Sequence, residues 1–281
     1  MKDSIVSCRY SDWIGAPASV SRPVFAIGDV HGCADLLEAL HGEIRSIVDT
    51  DALAAPLATH LGDYIDRGPR PLECLKMALD GVPGIETISL PGNHEQIMRH
   101  VLESEGADRD NTLIMWLWNG GERVTAELGM QNGAAALANP DEVVARLKIR
   151  LAAHLDRFMK MPNHVRLDGY LFVHAGINPA IPLAAQLERS WGEIAKDGKE
   201  DDPLWIREPF LQHGGKFEDG LIIVHGHTIH GTPQITANRI GIDTGAYRSG
   251  RLTCLEIRDD RMRFITAMGG SDRAGFVRPA R

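Results

Sequence analysis

Five short apolar runs in this 281-residue chain each end on glycine mixed with Asp, Asn or His. Val24-Phe25-Ala26-Ile27 closes on Gly28-Asp29-Val30-His31-Gly32, and Ala58-Thr59-His60-Leu61 on Gly62-Asp63-Tyr64-Ile65-Asp66-Arg67-Gly68. Residues 85–90 lead into Pro91-Gly92-Asn93-His94-Glu95, 170–173 into His174-Ala175-Gly176, and 221–224 into His225-Gly226-His227-Thr228. Such runs read as buried strands. Helical spacing separates them: Leu36, Leu37, Leu40, Ile44, Ile47 and Val48 mark a helix from about Ala34, and Pro71 opens another carrying Leu72, Leu75 and Leu79. The pattern predicts an α/β chain, and in open α/β sheets ligands bind outside the carboxyl ends of the strands.

That placement lets Asp29, His31, Asp63, Asn93, His174 and His227 converge. Alternate residues of an extended segment point the same way, so Asp29 and His31 can grip one ion. Two carboxylates, one amide oxygen and three imidazoles form a mixed donor set that suits Mn, Fe or Zn, and two ions better than one. Asp63 has two oxygens with which to bridge; Asp29 and His31 complete one ion, and Asn93, His174 and His227 the other. Such a pair acidifies a bridging water and clamps a phosphoryl oxygen. His94 follows Asn93 directly, beside the ions, where it can protonate a leaving oxygen. Asp66 can hold its other ring nitrogen. Arg67 and Arg207 offer forked donors to phosphate oxygens, with Asn93 and His94 facing the same phosphate.

The rest of the chain bounds the partners. A net charge of −8 excludes a nucleic-acid polymer, which needs a basic surface, but not a small phosphoester. Cys8, Cys33, Cys74 and Cys254 lack paired spacing and read as reduced thiols. Met1-Lys2-Asp3-Ser4 opens no signal peptide, and no apolar run reaches membrane length, so a cytoplasmic protein without a membrane partner is expected. Residues 1–281 are read as one domain, with 106–165 as a helical insertion over one edge of the site. Within it Trp116 and Trp118 are assigned to the insertion core, and Asp141 caps a helix from Glu142 to Lys160. Trp13 and Ile14 are expected to pack on the body, His60 and His225 to be buried in it, and strands near 234–243 and 251–258 to close it. Residues 196–202 are read as a solvated loop, and the tail from Gly269 as frayed.

Taken together and in this order, GDVHG, GDYIDRG, GNHE, HAG and HGHT resemble the phosphoprotein phosphatase family of the calcineurin-like metallophosphoesterases, across residues 28–228. The resemblance implies an αββα β-sandwich of mixed sheets flanked by helices and a binuclear metal centre, Mn²⁺ foremost with Fe or Zn as alternatives. It implies hydrolysis of phosphomonoesters by a water that bridges the two ions. It assigns Asp29, His31, Asp63, Asn93, His174 and His227 as ligands and His94, Asp66 and Arg67 as catalytic, in agreement with the reading from the residues. Trp118-Asn119-Gly120-Gly121, Leu204-Trp205-Ile206-Arg207-Glu208 and Ile242-Asp243-Thr244-Gly245-Ala246-Tyr247 resemble the compact bacterial branch. The expected substrate is a phosphorylated Ser or Thr, with phosphotyrosine possible. Symmetrical dinucleoside tetraphosphate hydrolases carry the same motifs and supply the alternative. A catalytically silent binding scaffold is a third reading, opposed by the complete ligand set.

Overall fold

The computed structural model describes residues 6–192 and 202–269. The strands are β1 (Ser7–Tyr10), β2 (Ile14–Gly15), β3 (Val24–Ile27), β4 (Leu57–His60), β5 (Glu86–Ser89), β6 (His164–Leu167), β7 (Tyr170–Val173), β8 (Ile222–His225), β9 (Gln234–Ile235), β10 (Arg239–Gly241), β11 (Arg251–Arg258) and β12 (Arg261–Met268). The helices are α1 (Ala34–Thr50), α2 (Pro71–Asp80), α3 (Asn93–Glu103), α4 (Gly106–Trp116), α5 (Glu122–Glu127), α6 (Gly133–Ala138), α7 (Pro140–Arg150), α8 (Leu155–Met159), α9 (Leu183–Leu187) and α10 (Ala246–Ser249). A π-helical turn, Leu117–Gly121, joins α4 to α5.

Among the described residues the strands form two mixed sheets. One runs β1-β12-β11-β3-β4-β5, with β2 beside β12; the other runs β6-β7-β8-β10-β9. In the first, β3, β4 and β5 are parallel, with α1 and α2 as the crossovers such strands require. Period-two alternation makes the layers. Val24 and Ala26 of β3 face the second sheet, where they meet Tyr170, Phe172, Val224 and Ile240. Phe25 and Ile27 face outward into a core with α1, α2 and the helices that follow. On the far side Leu171 and Val173 of β7 pack with Ile206, Phe210 and Phe217. Helices therefore cover two back-to-back sheets. β3, β4, β7 and β8 are buried along their length, which is why they read as unbroken apolar runs.

Several local expectations are corrected. Pro140 occupies the first helical turn, so α7 starts before Asp141 and follows Asn139. Asp141 instead pairs with Arg109 at 2.6 Å. The helix expected to continue to Lys160 breaks at Leu151, and α8 restarts so that the Phe158 ring meets Trp191 edge-on at 5.5 Å. Residues 164 and 165, assigned above to the helical region, open β6, which pairs with β7. Strand β12, absent from the sequence reading, pairs with β11 along its whole length. Trp13 lies under Arg258, Arg261 and Arg263, as expected of a packed residue, but Ile14 is 43% exposed on the edge strand. The tail beyond Gly269 and all but Asp202 of the 196–202 run lie outside the described residues; Asp202 is buried. No described helix is long and apolar enough to cross a membrane.

His60 is packed, as expected, and its partners make an acid-sensitive contact. Its Nε2 lies 2.8 Å from Nε2 of His41, and its Nδ1 lies 2.9 Å from the Ser89 hydroxyl. That hydroxyl donates to the Ala78 carbonyl at 2.6 Å, so it accepts from His60 Nδ1–H, and His60 Nε2 accepts from His41. Both rings are neutral in this chain of bonds. Burial lowers His41 to about 4; burial and then the His41 charge hold His60 well below its ordinary value. The unfolded chain therefore binds more protons below the ordinary His pKa. Stability is full above about pH 6.5 and falls as pH drops toward 4, by ~1.4 kcal/mol per pH unit for each ring. His41→Gln should flatten this acid limb in urea midpoints measured across that window. An unchanged slope would show that His41 contributes no proton linkage.

Candidate active site

Five strand ends deliver the site. β3, β4 and β5 run into 28–31, 61–63 and 90–93, and β7 and β8 run into His174 and His227. The loops interlock through their backbones: Val30 and His31 N–H both donate to the Asp63 carbonyl, and Gly226 N–H to the His174 carbonyl. Glu95, to which the sequence reading gave no role, binds these loops from beneath. Its Oε2 accepts from Asp63 and Gly92 N–H, each at 2.8 Å, and its Oε1 from Tyr64 and Ile65 N–H at 2.9 and 3.2 Å. Burial and the Asp63 charge push Glu95 up to about 8, against the pull of the backbone N–H groups. The two oxygens accepting four N–H groups favour the ionised form and hold that rise in check. Glu95 lies three residues after the Gly92 helix cap, a spacing that could have flagged it.

The approach is close enough to dictate glycine. A Cβ on Gly92 would fall 2.1 Å from Asp63 Oδ1, and one on Gly226 2.0 Å from Asp29 Oδ1. Five functional candidates also hold left-handed backbone: His31 (φ 42°), Asp63 (52°), Asp66 (70°), Arg67 (62°) and His227 (62°).

The donors point inward. Nδ1 of His31 and His174 lie 2.8 and 2.7 Å from the carbonyls of Ile65 and Leu61. A carbonyl only accepts, so each Nδ1 carries the proton. The Nε2 lone pairs then face Asp63, 3.3 Å from its Oδ2 for His31 and 3.5 Å from its Oδ1 for His174. This is the tautomer of a metal ligand, held by its outer partner. Asn93 Oδ1 lies 3.1 Å from His174 Nε2 and 3.0 Å from His227 Nδ1. Two groups, His31-Asp63-His94 and Asp63-His174-His227, each place their ligand atoms within 4.8 Å of one another, with Asp63 common to both. His94, expected beside the ions, completes the first group in place of Asp29. Asp29 accepts from the His227 N–H at 2.9 Å. Burial raises Asp29 well above its ordinary value, helped by the charges of Asp243 and Asp63. Burial pushes Asp63 up too, but His174, His94 and His31 outweigh it and hold Asp63 well below its ordinary value. Crowded buried carboxylates among imidazole lone pairs are a donor set that fits divalent cations.

Beside them, His94 Nδ1 lies 2.6 Å from Asp66 Oδ2. Trp116 Nε1–H donates to both Asp66 oxygens at 3.0 and 2.9 Å, so this insertion tryptophan is both core and a clamp on Asp66. Burial draws His94 down to about 3 and pushes Asp66 up to about 8. One proton lies between Nδ1 and Oδ2 on either assignment, and the buried Nε2, without a hydrogen-bond partner, is the atom free to exchange another. A cleft of about 310 Å³ opens over the donors, its lining including Arg67, Asn93, Asn119, Arg207 and Tyr247. Arg67 Nη1 lies 2.6 Å from His31 Nε2, and its guanidinium lies 5.0 Å from the Tyr247 ring. Arg207 is exposed at the mouth. Trp118 is not core: it is 87% exposed. His225 is buried, 4.9 Å edge-on to Phe210, and belongs to neither group.

Residues 22–245 match the calcineurin-like phosphoesterase family. An asymmetrical bis(5'-nucleosyl)-tetraphosphatase of Anoxybacillus flavithermus is 27% identical over 243 residues, 82% of this chain and 88% of its own. A serine/threonine-protein phosphatase 1 of Salmonella typhimurium is 29% identical over 240 residues, 84% and 93% of the two chains. A crystal structure of a cold-active protein tyrosine phosphatase mutant shares the fold, with TM-score 0.50 and 18% identity over 86% of this chain and 77% of that one.

Proposed function

This chain belongs to the calcineurin-like phosphoesterases, and we propose that within them it is a metal-dependent phosphomonoesterase acting on phosphorylated Ser or Thr of proteins. The observation that carries this reading is Asp63, shared by two donor groups and flanked by the His94-Asp66 pair under a cleft with two arginines. Asp29, His31, Asp63, Asn93, His174 and His227 would hold two divalent ions. When bound, these supply Lewis-acid polarisation of the phosphoryl oxygens and a water acidic enough to attack at neutral pH.

The chain's own residues do the remainder. Arg67 and Arg207 take the outer phosphate oxygens, and the Tyr247 ring fixes the Arg67 plane. His94 Nε2 gives its proton to the leaving alkoxide, which an unactivated serine or threonine oxygen requires. Asp66, clamped by Trp116, keeps the ring turned toward that oxygen. A second reading, hydrolysis of dinucleoside tetraphosphates, is favoured by the name of the Anoxybacillus relative.

Metal analysis with rates on a phosphoserine peptide, phenyl phosphate and diadenosine tetraphosphate, each with Mn²⁺, decides between them. The peptide should be turned over with the highest kcat/KM. A large preference for the dinucleotide would replace the first reading with the second, and two nucleoside diphosphates as products would make the cleavage symmetrical. No bound metal and no turnover of any substrate would leave a scaffold.

A further inference from the structure

We propose that Trp118 and Ile114 form a platform for an apolar side chain next to the phosphorylated residue of a peptide substrate. The proposal rests on the phosphoprotein reading above and names the sequence context it selects. The π-helical turn is seated on the site: Arg67 N–H donates to the Gly120 carbonyl at 3.3 Å, and a Cβ on Gly120 would fall 2.8 Å from Arg67 Cγ. Asn119, held by a 2.8 Å bond from its Nδ2 to the Met115 carbonyl, lines the cleft. π-helical turns recur at functional sites. Here two tryptophans two residues apart project to opposite sides. Trp116 is fully buried against Asp66, whereas Trp118, adjoining Asn119 of the cleft, is 87% exposed.

Ile114, one helical turn earlier, is 43% exposed, while Leu113, Trp116 and Leu117 are buried. Residues four apart share a helix face. Trp118 is joined directly to Asn119 of the cleft lining, and Ile229, 38% exposed, lines the cleft itself. A cleft of about 310 Å³ holds a phosphoryl group and the stem of its residue, so whatever flanks that residue lies across the rim. One feature favours a peptide over a nucleotide. Base recognition joins stacking to hydrogen bonds on base edges, and Ile114 offers none.

The test compares wild type with Trp118→Ala and Ile114→Ala on two phosphoserine peptides, one flanked by leucines and one by glycines, with phenyl phosphate as reference and diadenosine tetraphosphate alongside. Wild type should favour the leucine peptide by about tenfold in kcat/KM, the scale of one well-buried aromatic contact. Trp118→Ala should erase that ratio through KM, Ile114→Ala should reduce it, and unchanged melting temperatures would exclude misfolding. Equal wild-type rates on the two peptides, or a ratio that survives Trp118→Ala, overturns the platform while leaving the phosphatase reading intact. A KM rise confined to the dinucleotide overturns it in favour of base stacking. Turnover of phenyl phosphate with neither peptide a substrate overturns the phosphoprotein reading itself.

Discussion

Asp63→Asn should leave the chain folded, strip it of bound divalent metal and lower turnover by about 10³ or more, the several kcal/mol attributed to metal-ion catalysis. Asp63 is the one residue common to both donor groups. Asn keeps its shape, still accepts the His94 N–H that Asp63 Oδ1 receives at 3.1 Å, and tolerates the left-handed φ of 52°. The charge is lost, with one of the two oxygens that face His31 and His174, and with it the anion that three imidazoles surround. Elemental analysis of the purified variant beside its kcat is the measurement. Two retained ions with turnover within tenfold of wild type would remove Asp63 from the centre of the scheme.

His94→Asn should cut turnover of a phosphoserine peptide by about 10²–10⁴, the usual share of general acid catalysis, with metal content unchanged. The leaving group makes the test specific. A serine alkoxide needs a proton, whereas nitrophenolate leaves without one, so the loss should be much smaller on nitrophenyl phosphate. Equal losses on the two substrates would refute the acid role. Metal content settles the placement of His94, because its Nε2 lies 3.9 Å from Asp63 Oδ2 and completes one donor group. A fall to one ion would make it a ligand.

The strand ends were legible because β3, β4, β7 and β8 are buried on both faces and their chemistry is concentrated in the next few residues. Glu95 was legible only as a capping residue three positions after Gly92, since its wider importance lies in four backbone donors spread from residue 63 to 92. Asp243 likewise acts on Asp29 across the fold, with no local period to announce it. The tryptophans should have been separable. Residues two apart on a helix lie about 200° apart, so Trp116 and Trp118 could not share one face. The α7–α8 break was masked because Leu147, Leu151, Leu155 and Phe158 keep helical spacing across it. β6 and β12 carry arginines among their apolar residues, which interrupts the apolar run that marks the other strands.

The left-handed residues of the centre have an evolutionary consequence. Each costs on the order of 1 kcal/mol, against a total stability of roughly 5–15 kcal/mol for a folded protein. Aspartate and histidine are among the side chains that bear this conformation best, and four of the five are of those types; Arg67 is the exception. Selection for heat tolerance alone therefore places no premium on this conformation, and only selection for turnover keeps these side chains against its cost.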